Sequence, residues 1–543
     1  MVSFYEAYSS LEFISTQQRY GFAAIVQFQT AQLPKVLTLT TFTNHLTILT
    51  NIKNLLDKSY QFLQQINLNS FLDTSKSGIM NFSRSLIFII STLFPFLSIG
   101  QSVKGFVHEQ SATNGYVFPT DQEVLKKLDS WQDLKFGVIF HFGLYSVPGI
   151  VESWSICSED VDWITREGDL PYDKYKEWYW NLVDSFNPIE FNPERWAEIM
   201  KNAGVRYMIF TTKHHDGFCL FPSKFTDFNI SKSPFGDNPR YNIAKEVFQA
   251  FRDKDFMIGC YFSKPDWHSE WFWNPGFATP GRGINYKKER HPDWWSNYQN
   301  FTASQLGELL NGDYGIIDIL WLDGGWITGD DIGLDKILSE ARSSLHPGLI
   351  SVDRSIRGKN ENYQTPERGI PDRQLLYPWE SCIPLSNDWG WVPNAQYKSA
   401  ENIIGLLAET TAKGGSLLLG VGPTPQGTID PEVENRLREI GKWLDTNGEA
   451  IYSTRPTPIF NDGNTWFTSS KDDRYLYAIY VLPEGEKIPE FIEWNGNIPS
   501  GRMTLLDGNQ RLSYKTFPDG KVRVMLPKGI KNSHVAIKFT AAR

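Results

Sequence analysis

Short apolar runs alternate with amphipathic stretches from about Lys126 onward, and this alternation constrains the fold more than any other feature. The runs are "KFGVIFHFG" (135–143), "RYMIFTTKH" (206–214), "MIGCYFSKPDW" (257–267), "IIDILWLDGG" (316–325), "GLISVDR" (348–354) and "SLLLGVGPT" (416–424). Between them "NPERWAEIMKNAG", "NIAKEVFQAFRDKDF" and "SAENIIGLLAETTAKGG" carry helical spacing, the last stopped by Gly-Gly just before a strand. Such a pattern implies α/β architecture: a parallel sheet with helices outside. At this length the expectation is a (β/α)8-like, TIM-type barrel. The sixth and seventh strands are ambiguous between Leu375 and Tyr397, which allows a degenerate barrel.

The pattern changes after "NGEAIYSTRPTP" (447–458). Short alternating segments such as "WFTSSKDDRYLYAIYVLP" and "HVAIKFTAAR", separated by turn residues, predict a C-terminal antiparallel β-sandwich. The expected division is a catalytic barrel over 101–455 and a sandwich over 456–543.

The first hundred residues stand apart. "MNFSRSLIFIISTLFPFLSIGQS" begins at Met80, carries Arg84, and runs apolar from Leu86 to about Ile99 before small residues at Ser98 and Gly100. That order of cationic start, apolar centre and small residues reads as a secretory signal over 80–100. Residues 1–79 then read as an N-terminal extension from upstream translation, with Met80 as the start. An internal membrane anchor is the alternative. A signal implies a secreted, periplasmic or lysosomal protein. The net charge of −9 argues against nucleic acid as a partner. Cys157, Cys219, Cys260 and Cys382 form no CxxC pair and read as free thiols. Asn229 and Asn300 head N-x-S/T sequons, which matter only in a eukaryotic secretory pathway.

In a barrel, chemistry sits where strands end and loops begin. His141, Lys213, His214, His215, Asp216, Asp266, Asp323, Asp353 and Arg354 occupy such positions. A metal site would draw on His214 and His215, but adjacent residues on a strand project to opposite faces, and no HExxH or HxH pattern is present. A nucleophilic serine would need an elbow such as GxSxG, and none is evident. Two carboxylates among His, Trp and Arg side chains suit glycoside hydrolysis. The 19 tryptophans supply flat faces for sugars, although most tryptophans are core residues.

"KFGVIFHFGLYSVPGIVESW", "YMIFTTKHHDGFCLFPSKFTDFN", "DILWLDGGW", "WESCIPLSNDWGW" and "TAKGGSLLLGVGPTPQGTI" resemble the glycoside hydrolase family 29 α-L-fucosidases from about Leu128 to Thr454. The resemblance implies a retaining exo-α-L-fucosidase acting on fucosylated glycans, without metal or organic cofactor. Carried over position by position, Asp323 matches the nucleophile and His141, His214 and His215 match fucose-hydroxyl ligands. Glu152, in "VESW" with Trp154, resembles a hydroxyl-binding Glu. Trp321 and Tyr261 match pocket-wall residues, and Arg354 matches a pocket Arg. Glu367, in "YQTPERGIP", is the favoured acid/base, and Glu380, in "PWESC", is the second candidate. Phe142 replaces a Trp common in the family, which would alter the pocket wall. The aromatic stretch 268–295 either builds leaving-group subsites or packs as a flap. A non-catalytic fucose-binding protein, or a retaining glycosidase for a related sugar such as a galactoside, are the competing readings.

Overall fold

The computed structural model describes residues 116–542 except 167, 280, 531 and 532; the expectations for 1–79 and 80–100 lie outside the described residues. No helix among the described residues is long and apolar enough to cross a membrane.

Seven strands form one sheet: β1 (Phe136–Phe140), β2 (Tyr207–Lys213), β3 (Met257–Ser263), β4 (Ile319–Asp323), β5 (Ile350–Asp353), β6 (Glu380–Pro384) and β7 (Ser416–Val421). Their order is β5-β4-β3-β2-β1-β7-β6, and every neighbouring pair is parallel. Six strands match the apolar runs, and β6 falls inside the ambiguous window. The sheet is curled, and residues 361–368 bridge its two edges. Glu361 pairs with Val352 on β5, whereas Gln364 pairs with Trp379 and Glu367 with Cys382 on the β6 side. Arg368 donates its N–H to the Cys382 carbonyl. This segment contains Pro366, which has no N–H for a regular ladder. The degenerate barrel therefore closes through an irregular stave, which no periodicity announces.

Period-two alternation divides each strand. Ile139, Tyr207, Ile209, Tyr261, Ile319, Trp321, Val352, Cys382 and Leu418 fill the lumen. Their alternates, such as Phe140, Phe210, Leu320 and Leu322, pack into the outer core. Helix α1 (Gln122–Leu134) runs into β1 and plugs the lumen with Trp131, whose ring stacks on Tyr363 at 4.1 Å. The later helices are α2 (Tyr172–Trp180), α3 (Pro193–Asn202), α4 (Ile243–Arg252), α5 (Pro292–Leu310), α6 (Leu334–Ser343), α7 (Ala400–Ala412) and α8 (Pro431–Asn447). Asn192, Asn242, Ser399 and Asp430 cap α3, α4, α7 and α8 by accepting first-turn N–H groups.

The C-terminal strands are β8 (Thr454–Asp462), β9 (Thr465–Ser470), β10 (Leu476–Tyr480), β11 (Phe491–Asn495), β12 (Pro499–Leu505), β13 (Gln510–Leu512), β14 (Tyr514–Thr516), β15 (Lys521–Met525) and β16 (Val535–Ala541). They make a six-stranded sheet, β13-β12-β16-β10-β9-β8, and a three-stranded sheet, β11-β15-β14. Phe467, Ile537 and Phe539 from the first meet Trp494, Val522 and Val524 from the second in one core. Two antiparallel sheets on a shared core are the expected sandwich.

Candidate active site

The same alternation that sends Ile319 and Trp321 into the lumen places Asp323 on that face, one residue pair nearer the mouth. β4 stops there because Gly324 takes φ +83°, and a Cβ at that position would lie 2.2 Å from Pro265. Around Asp323 the strand ends enclose a cavity of about 560 Å³. His141, Glu152, Trp154, His214, His215, Trp321, Arg354 and Glu367 line it together with Asp323. Nine of the eleven side chains singled out from sequence thus converge on one hollow.

Asp323 is fully engaged. Its Oδ1 accepts from Arg354 Nη1 at 2.8 Å, and its Oδ2 accepts from the Tyr261 hydroxyl at 2.7 Å. His215 Nε2 stands 3.7 Å from Oδ2. Burial alone would raise this carboxyl, but the Arg354 guanidinium, His215 and the Tyr261 hydroxyl hold it well below the usual carboxylate range. Arg354 Nη2 also donates to Glu367 Oε2 at 3.0 Å, so one guanidinium bridges the two carboxylates. Trp389 Nε1 donates to Glu367 Oε1 at 3.3 Å. Arg354 lies over the Trp321 ring at 4.3 Å and donates from Nε to Thr365. The backbone is clamped as well: Lys264 N–H donates to the Asp323 carbonyl, and the buried Lys264 ammonium pairs with Asp353 at the end of β5.

Three histidines line the cavity in neutral form. Burial lowers His141 to about 3 and His215 to about 4, and it holds His214 well below its ordinary value. Ser153 Oγ meets His214 Nδ1 at 2.5 Å, and Ser263 Oγ meets His215 Nδ1 at 2.6 Å, which fixes both rings. The His141 Nδ1 is buried without a hydrogen-bond partner. β2 ends at Lys213, so the opposite-face rule expected for His214 and His215 does not apply. Both rings reach the cavity, 4.4 Å apart. With Asp323 they form a group whose ligand atoms lie within 4.8 Å of one another. The donor set suits a metal poorly, because both Asp323 oxygens are occupied and Arg354 brings a positive charge beside them.

Two candidates do not line the cavity. Tyr261 is fully buried and acts through its hydroxyl on Asp323 rather than as an open wall. Glu380, on β6, is fully buried in the lumen, where its carboxylate accepts from Tyr207 and from Trp321 Nε1. Burial pushes it up to about 7. Glu152 Oε1 accepts the N–H groups of Trp389 at 2.7 Å and Gly390 at 2.9 Å, tying down the loop that carries Trp389. Burial, opposed by those bonds, raises Glu152 to about 7. Phe142 points away from the cavity and packs on Phe186 and Trp196, so the exchange at this position lies in the outer core and not in the pocket wall.

Sequence reasoning missed Trp163, Arg282, Trp326, Arg368 and Trp389, all on the cavity. Trp389 stood within "NDWGW", and its ring leans on His141 at 5.2 Å. Arg282 had no sequence signal, because its partner is Glu159, 123 positions earlier. It lies over both Trp154 and Trp326. Of the 268–295 stretch, Arg282 reaches the mouth, whereas Phe272 and Trp273 pack on Tyr298 and Trp267. The four cysteines are free and buried. Asn229 is buried with its amide committed to Ser223 and Thr226, whereas Asn300 is exposed on α5.

Comparison with known proteins places this geometry. The plasma alpha-L-fucosidase of Homo sapiens is 30% identical over 378 residues, covering 66% of this chain and 76% of the human protein. The alpha-L-fucosidase of Branchiostoma floridae is 28% identical over 440 residues, covering 75% of this chain and 90% of its own. Among solved structures, alpha-L-fucosidase isoenzyme 1 from Paenibacillus thiaminolyticus superposes with a TM-score of 0.64 at 26% identity, covering 78% of this chain and all of that one. The Thermotoga maritima alpha-fucosidase in complex with fucose gives 0.62 at 26% identity with the same coverage. The family profile described as Alpha-L-fucosidase matches residues 105–449, the stretch that contains every cavity residue named above, and so the chain belongs to the alpha-L-fucosidase family.

Proposed function

We propose that the protein is a retaining exo-α-L-fucosidase that removes terminal α-L-fucose from glycans by double displacement. The observation that carries this reading is the Arg354 guanidinium spanning Asp323 and Glu367 at the cavity. Two carboxylates on neighbouring nitrogens of one planar group support the roughly 5–5.5 Å spacing of a retaining pair over the roughly 6.5–9.5 Å of an inverting one.

In this reading Asp323, kept ionised, attacks the anomeric carbon and forms a glycosyl ester. Glu367 donates a proton to the departing glycosidic oxygen, then takes one from the water that cleaves the ester. Its place on the closing stave, beside the mouth, favours it over the deeply buried Glu380. Tyr261 and Arg354 fix the Asp323 oxygens against rotation. The neutral rings of His141, His214 and His215 suit sugar hydroxyls, since neutral imidazole both donates and accepts. Trp321 offers an apolar surface for the C5 methyl group. The signal-like segment at 80–100 and the plasma and tissue names of relatives support an exported protein.

The test is hydrolysis of 4-nitrophenyl α-L-fucoside by the protein, by Asp323→Ala and by Glu367→Ala. Turnover by the parent, none by Asp323→Ala, and azide rescue of Glu367→Ala are expected. Fucose binding without turnover by the parent would leave a sugar-binding protein instead. Azide rescue of Glu380→Ala, and not of Glu367→Ala, would move the acid/base to β6.

A further inference from the structure

Glu380 is a carboxyl buried in the lumen that the mechanism above does not use. Burying an acid is unfavourable unless its oxygens are satisfied. Here the satisfaction is specific: Oε2 accepts from the Tyr207 hydroxyl on β2 at 2.7 Å, and Oε1 accepts from Trp321 Nε1 on β4 at 3.2 Å. Tyr207 has room to reach across because β1 carries Gly137 beneath its ring; a Cβ there would fall 2.2 Å from it.

Trp321 touches both groups that hold Asp323. Arg354 lies over its indole at 4.3 Å, and Tyr261, its register partner on β3, stacks on it at 5.3 Å. Arg354 and Tyr261 then occupy the two Asp323 oxygens. We propose that Glu380 is a positioning residue: by fixing the plane of Trp321 through its indole N–H, it sets the platform on which both hydrogen-bond donors to the nucleophile rest. The inference rests on Asp323 being the nucleophile of a fucosidase. Burial, opposed by its hydrogen bonds and by the charge of Arg354, keeps Glu380 up near 7.

The role separates from acid/base catalysis kinetically. A carboxyl that protonates the leaving group matters most for poor leaving groups, whereas one that aims the nucleophile matters for all of them. The experiment measures kcat and KM for aryl fucosides with good and poor leaving groups, using Glu380→Leu, Trp321→Phe, the double variant and Asp323→Ala. Misaiming the attack by a fraction of an ångström to one ångström lowers kcat by up to about 10²-fold. The expected result is such a loss in Glu380→Leu, which leaves the Trp321 indole N–H without an acceptor, equal for both leaving groups, with KM little changed and no azide rescue. Trp321→Phe, which keeps a ring and lacks the N–H, shows a comparable loss. The double variant costs no more than the worse single, because the two act through one hydrogen bond. If Glu380→Leu fails to fold, Trp321→Phe carries the same kinetic test alone. Unchanged kcat, additive losses, or a loss confined to poor leaving groups and rescued by azide would overturn the proposal. Full turnover by Asp323→Ala would instead overturn the fucosidase mechanism on which it rests.

Discussion

Replacing Arg354 with Met removes the charge that Asp323 and Glu367 share while keeping an apolar stem against Trp321. The guanidinium side chain is only 6% exposed, so solvent cannot take its place. Removing one partner from a buried, hydrogen-bonded charge pair costs about 3–5 kcal/mol. If most of that loss falls on transition-state stabilisation, kcat/KM drops roughly 10²–10³-fold. The pH dependence supplies the sharper test. In the proposed mechanism Asp323 attacks only when ionised, so activity is lost as pH falls through its folded pKa. In the parent that value is held far below the usual range, and the acid limb from this group lies below the working pH. Without Arg354 the burial that raises Asp323 is opposed only by His215, His214 and the Tyr261 hydroxyl, and the carboxyl moves upward. The acid limb of kcat/KM then appears at higher pH in Arg354→Met. The assay is a pH series with an aryl fucoside whose leaving group needs no proton, which keeps Glu367 out of the measurement. An unmoved acid limb, or a loss below about 3-fold, which is less than one ordinary hydrogen bond, refutes the reasoning.

Three further outcomes follow from the same contacts. Asp353→Asn leaves the buried Lys264 ammonium without its counter-charge, and the expected destabilisation of about 3–5 kcal/mol lowers the melting temperature by roughly 3–6 °C for a chain of this size. Trp389→Phe removes the 3.3 Å bond to Glu367 Oε1 and keeps the ring beside His141, so hydrolysis of substrates with poor leaving groups falls by roughly 3–10-fold, while activated aryl fucosides change little. Glu380 has a folded pKa of about 7 against an ordinary 4.5, so the stability it contributes is complete below pH 4.5 and is lost as pH rises through about 7. The melting temperature of Glu380→Gln relative to the parent therefore rises across that window, and a constant difference in a pH series of melts contradicts it.

The barrel strands were legible because alternation of apolar runs with amphipathic helices is written locally, residue by residue. Asp323, His141 and Arg354 were legible for the same reason, since each follows an apolar strand directly and one residue of register decides which face it joins. Glu380 was legible only as a second acid/base candidate in "PWESC", and tertiary structure puts it deep in the lumen, bonded to Trp321. The difference is depth along the barrel axis: Glu380 opens its strand, whereas Asp323 ends one. The irregular stave at 361–368 was not legible, because its pairing is set by two strand edges brought together only on closure. That closure carries Glu367 to Arg354. In the same way, His214 and His215 share one cavity because β2 stops at Lys213, and Arg282 reaches the mouth because Glu159 pulls it there. Sequence by itself determined which residues could do chemistry and which strands would present them. Only the tertiary structure decided which carboxylate shares a guanidinium with Asp323, because that contact joins the ends of β4 and β5 to the stave, and hydrogen bonds between distant segments leave no periodic trace.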